Sequence, residues 1–147
     1  MGIAIVVTTC CVLLSIAIHW LGLRFLWRIA RPRLDRLIGK GVGVMVVGCI
    51  AAHLLEIAVF TLGLFITAAW EGDTKLALTA WHREDLDVWF YSASFYTSLG
   101  GDKPPTAGLR LFATTEALTG LILITWTASF LFLLMQDSWI SGDGKRS

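Results

Sequence analysis

His53, Glu56 and Glu116 are ionisable residues inside long apolar runs, where a charge is costly and needs protein or water around it. His53 and Glu56 are three residues apart, so on a helix they share one face. An imidazole and a carboxylate so placed invite a metal. The chain has only three histidines, however, and no second one on that segment, so a zinc enzyme is not expected. The expectation is a buried polar network of His53, Glu56 and Glu116, with no resident metal and no cofactor. Thr97-Ser98-Leu99-Gly100-Gly101-Asp102 is the second constellation. Ser98 there can cap a preceding helix, and Gly100-Gly101 can stop it. No phosphate loop, no nucleophile paired with a base and no basic nucleic-acid patch occurs, so neither an enzyme nor a nucleic-acid partner is expected.

The elements that carry these residues are lipid-like in composition. Of 147 residues 56% are hydrophobic and 16% charged, and the mean hydropathy is +0.71. A soluble domain has about 45–50% apolar and about 25% charged residues. Cys10, Cys11 and Cys49 lie in apolar runs and read as small hydrophobes rather than a disulfide or zinc set. The run Ile3–Leu23 has no preceding Lys or Arg and no small-residue cleavage site after it. It is expected to remain as an anchor rather than be removed as a signal peptide.

A spanning helix needs about 20 apolar residues to cross about 30 Å of hydrocarbon. Three segments qualify: Ile3 to Trp27, Val42 to Trp70, and Leu109 to Met135. Arg31-Pro32-Arg33 ends the first, since proline cannot continue the hydrogen-bond ladder. Residues 24–40, at and beyond the end of the first, hold Arg24, Arg28, Arg31, Arg33, Arg36 and Lys40 against a single Asp35, which assigns this loop to the cytoplasm. The amino terminus is then periplasmic, segment 71–107 is outside, and Gly144-Lys145-Arg146-Ser147 ends inside. The outer segment is acidic in balance, in agreement with this topology.

Leu86 to Thr97 is aromatic and apolar but too short to span. Asp85 or Asp87 can cap its start, Gly100-Gly101 stop it, and Pro104-Pro105 hold an extended return. A half-length helix between two spans reads as a re-entrant loop, which needs protein or a water-filled path around it. The competing reading, a helix flat on the membrane surface, would want basic residues on its polar face.

Phe90-Tyr91-Ser92-Ala93-Ser94-Phe95-Tyr96-Thr97-Ser98-Leu99-Gly100-Gly101-Asp102, followed by Leu109-Arg110-Leu111-Phe112-Ala113 and Glu116-Ala117-Leu118-Thr119-Gly120, resembles the two-helix pore module of the bacterial potassium-channel superfamily. The resemblance covers residues 42–136. It implies a homotetrameric channel for monovalent cations, K or Na, with a filter over Thr97 to Asp102 and an outer mouth at Asp102 and Lys103. The acids there raise local cation concentration and the lysines offset them. The family's filter reads Thr-Leu-Gly-Tyr-Gly-Asp; this chain has Ser98-Leu99-Gly100-Gly101-Asp102, one residue shorter and without tyrosine. An extended strand loses about 3.3 Å with one residue, about one ion site, so weak selectivity follows. A relative that passes another solute or an anion or does not conduct, and a regulatory membrane subunit, are the alternatives.

The expected fold class is an all-α membrane protein: three transmembrane helices with a re-entrant pore helix and filter loop between the second and third. Residues 1–30 form a peripheral helix, since nothing polar in it asks for a lumen, and 31–41 a basic cytoplasmic linker. The pore module has an outer helix 42–70, outer loop 71–85, pore helix 86–97, filter 98–102 and inner helix 107–136. Residues 137–147 are a short cytoplasmic tail, and a bacterial inner membrane is the expected location. Gly120, inside the inner helix, is either a hinge or a close packing contact. The stripe Glu116, Gly120, Leu123, Thr127, Leu131 and Leu134 either lines the pore or faces the second span. Glu116 is expected behind the pore helix near Ser92 or Ser94, and Glu56 is expected to share a proton with His53 or a backbone carbonyl.

Overall fold

Apolar length dictates the architecture. In the computed structural model, four helices follow in chain order: α1 (Gly2–Ala30), α2 (Lys40–Glu71), α3 (Asp85–Tyr96) and α4 (Ala107–Asp143). The structure describes the backbone of residues 1–30, 40–72, 85–101 and 103–143, and the side chains of 1–29, 42–72, 88–101 and 103–136. Asp102, nearly all of the linker 31–41, most of the outer loop 71–85 and the last four residues lie outside the described residues. So do the side chains of Asp85 and Asp87 and their capping role. Gly2–Ile29, Val42–Glu71 and Ala107–Gln136 are long and apolar enough to cross a membrane. The chain is thus all-helical among its described residues, with the make-up of a multi-pass membrane protein. α4 continues beyond the apolar stretch to Asp143, into the segment read from sequence as a tail.

Contacts between the long helices fix their directions. Cys11 meets Val59, His19 meets Glu56, and Gly22 lies against Ala52, so α1 and α2 run antiparallel. Glu71 bonds Thr106 and Phe60 stacks edge-on with Phe112 at 5.8 Å, which makes α2 and α4 antiparallel as well. Thr106 caps α4, its hydroxyl accepting from the Leu109 amide at 3.2 Å. Arg110 donates to the carbonyls of Pro104 and Pro105 at 3.0 Å each and so fixes the return segment.

α3 has twelve residues, about 18 Å of helix and too short to span. Its Val88, Ser92 and Tyr96, spaced by four, form a face buried between α2 and α4. The core has two apolar layers. One gathers Phe60, Leu64, Val88, Tyr96, Leu109 and Phe112; the other gathers Leu23, Leu26, Met45, Cys49 and Leu134. The histidines and Glu56 lie between them.

The stripe on α4 is turned into the protein. Glu116, Gly120, Leu123, Thr127 and Leu134 are buried within the single chain, and Leu131 is half-buried. A Cβ on Gly120 would run into the backbone carbonyl of Tyr96, the last residue of α3. The glycine is therefore a contact between two backbones, which neither side can relieve by a rotamer change. Gly120→Ala is expected to lower stability by about 1–3 kcal/mol, as overpacking does. Gly43→Ala, where nothing lies within 4 Å, should be neutral or mildly stabilising. Thermal unfolding of the two variants in detergent checks this; a hinge without close packing would leave both melting points unchanged.

Candidate functional site

Glu56 lies midway along Val42–Glu71 and is fully buried. A carboxylate at that depth must be met by donors, and three helices supply them. The His19 Nδ1 from α1 is 2.9 Å from Glu56 Oε1, and the His53 Nδ1 is 3.0 Å from Oε2. The Tyr96 hydroxyl, from the end of α3, donates to Oε2 and also lies 2.9 Å from His53 Nδ1. On the far side of the imidazoles sits Thr127 of α4, 2.9 Å from His53 Nε2 and 3.4 Å from His19 Nε2. All four helices thus place a side chain in one cluster. His19 is fully buried and 5.3 Å from the Trp126 ring. His53 retains 17% exposure.

One turn of α3 away, the Ser92 hydroxyl donates to Glu116 Oε1 at 2.5 Å, with the Ile57 carbonyl at 3.5 Å. Ser94 instead donates to Phe90 of its own helix at 2.7 Å. The two buried acids do not pair with each other. Each holds a different residue of the same face of α3: Glu56 holds Tyr96 and Glu116 holds Ser92.

Two of the cluster's members were not read from the sequence. His19 is the lone histidine in an apolar run, and the first helix was expected to have no polar role. It is in fact the second imidazole that the His53–Glu56 pair lacks, delivered by a different helix. The signal available was its spacing: Thr8, Cys11, Ser15 and His19 follow steps of three and four, and all are buried. Tyr96 was quoted only as part of the aromatic segment. His19, His53 and Glu56 offer one ligand atom each, all within 4.8 Å of one another, so these residues could hold a metal ion.

Residues 97–101 follow α3 on the exposed side of the chain. Thr97, Ser98, Leu99, Gly100 and Gly101 are exposed, Leu99 at 82%. The end of the helix is tied by Thr97 N to Ala93 O at 2.9 Å, Ser98 N to Phe95 O at 2.9 Å and Gly100 N to Ser94 O at 3.0 Å. Ser98 and Gly100 have φ of 59° and 76°. The left-handed conformation closes the helix; glycine adopts it freely and serine at some cost. Ser98 therefore caps α3 through its backbone. Lys103 is exposed, and Pro104 behind it is buried.

No protein-family model, no curated protein and no solved structure matches this chain. What the fold and site define is a class: an all-helical protein with three candidate membrane spans, a short helix wedged between two of them, and buried acids holding that helix. The Glu116 bond makes a direct prediction. Glu116→Gln keeps an acceptor for Ser92 and is expected to change stability little. Glu116→Ala leaves the serine hydroxyl without its acceptor and opens space, and is expected to cost about 2–4 kcal/mol. Denaturation in mild detergent of both variants checks this; equal tolerance of the two would contradict the bond's role.

Proposed function

We propose that this chain is the subunit of a symmetric homo-oligomer, with four copies, that conducts monovalent cations along an axis lined by residues 97–101. The observation that carries this reading is the half-length α3, held on one face by two spans and ending in an exposed backbone segment rich in glycine and hydroxyls. The carboxyl end of a helix carries partial negative charge. Four such ends around an axis would favour a cation where the Thr97, Ser98 and Leu99–Gly101 oxygens can replace its water. Asp102 and Lys103 would flank the outer mouth. Exposed Phe90 and Leu99 are apolar groups that neighbouring copies would cover.

The pore loop is re-entrant in this reading, and the arginine-rich segment 24–40 lies in the cytoplasm of a bacterial cell. The amino terminus is then periplasmic. The filter, a residue shorter than the potassium-selective pattern and without its tyrosine, holds fewer ions and separates K from Na weakly. The buried stripe on α4 faces its own subunit, so the exposed face with Leu118, Leu121 and Ile122 is left for lipid and for other copies.

Reversal potentials in planar bilayers test the reading, together with native mass in mild detergent. A tetramer with cation currents and a K-to-Na permeability ratio near one is expected. A monodisperse monomer, an anion current or a tetramer silent in both salts would overturn it. Gly72→Cys should be labelled from the periplasmic side; labelling from the cytoplasm alone would reverse the orientation.

A further inference from the structure

We propose that His19, His53, Glu56 and Tyr96 form a four-donor site for a divalent transition-metal ion of the zinc class, set midway through the membrane span. The facing atoms are two imidazole nitrogens and two kinds of oxygen, and this mixed nitrogen–oxygen set suits zinc. Both nitrogens that face Glu56 are Nδ1, at 2.9 Å and 3.0 Å from its two oxygens, and Tyr96 lies on the same side. Ligands about 2.0–2.2 Å from a tetrahedral ion are about 3.4 Å apart, so the two nitrogen–oxygen pairs need open by about half an ångström and the closer Tyr96–Glu56 pair by more.

With Glu56 ionised and both imidazoles neutral, the cluster's hydrogen bonds are one donor short. When both Nδ1 atoms donate to an ionised Glu56, both Nε2 atoms are left needing a donor. Thr127 stands against both Nε2 atoms and has one proton to offer. One further proton on the cluster or an ion on the Nδ1 side resolves this, and the donor set fits the ion. Each Nδ1 then turns its lone pair to the metal, each proton sits on Nε2, and the two lone pairs of Thr127 Oγ1 accept both. The Thr127 proton is freed for a carbonyl one turn back, where Thr119 and Thr125 of the same helix already donate, at 2.8 Å and 2.7 Å. A metal-bound histidine characteristically donates its other N–H to such an oriented acceptor.

This inference stands on the cluster's geometry and does not rest on the channel reading; ion currents could be absent with the metal still bound. The test uses the full chain in detergent, stripped with a chelator, loaded separately with zinc and with cobalt, and desalted. About one metal per chain by elemental analysis is expected, and a visible cobalt spectrum of tetrahedral type. Thr127→Val keeps every ligand and removes only their acceptor; it should weaken zinc affinity about 10- to 100-fold. Tyr96→Phe should shift the cobalt spectrum, and an unchanged spectrum would overturn the four-donor set. His19→Asn should abolish loading. Should that variant fail to fold, the wild type decides: a monodisperse wild-type protein that retains neither metal means that one extra proton closes the network, and the proposal falls.

Discussion

A carboxylate in the middle of a membrane span is the constraint from which the rest of this structure follows. Glu56 cannot face hydrocarbon, and its own helix offers one partner, His53. The other donors come from elsewhere in the chain: His19 from α1 and the Tyr96 hydroxyl from α3. Satisfying one buried acid therefore fixes the register of α1 against α2 and the depth to which α3 enters. In lipid the hydrophobic effect does little to bring helices together, so directed bonds and close contacts carry that load. The apolar layers on either side of the cluster then pack around a spacing already set.

The second acid turns a tether into a rigid mount. Ser92 and Tyr96 are one helical turn apart, and each is held by a different glutamate from a different helix. Two bonds on one face of α3 restrain its rotation as well as its position. Gly120 brings the α4 backbone against the Tyr96 carbonyl and fixes the distance that the bonds alone would leave free. The carboxyl end of α3, where residues 97–101 begin, is thus the most closely determined point of the short helix.

The spans were legible because their signal is one-dimensional: an apolar run of sufficient length has few alternatives in water. The short helix was legible for the same reason, by its insufficient length and its glycine stop; 86–97 was expected and Asp85–Tyr96 is found. The stripe on α4 was legible as a stripe but not in its direction. Spacing puts Glu116 and Thr127 on one face without saying which neighbour that face meets. His19 was not legible at all as a partner of Glu56. The two are 37 residues apart, on helices whose register depends on Gly22 facing Ala52 and Gly48 facing Leu26. A single histidine in an apolar run has no periodic partner, and only the packed helices supply one.

What the fold has not satisfied is as informative as what it has. Nearly every polar side chain in the spans is turned inward or bonded to its own helix: Thr61 and Thr67 donate to carbonyls one turn back, as do Thr114 and Ser129. The outer faces are left with Leu13, Leu21, Leu55, Leu62, Phe132 and Leu133, side chains at home in lipid. Residues 97–101 depart from this pattern. They are exposed, and beyond the capping bonds of Thr97, Ser98 and Gly100 their peptide groups are not engaged in a helix. Irregular backbone of this kind is stable at membrane depth only against protein or water, because lipid offers no donor or acceptor. Either the segment lies at the aqueous boundary, or other copies of the chain and a wet axis surround it. The second belongs to the proposed channel reading, in which the two buried acids that hold Tyr96 and Ser92 would fix α3 beside that axis.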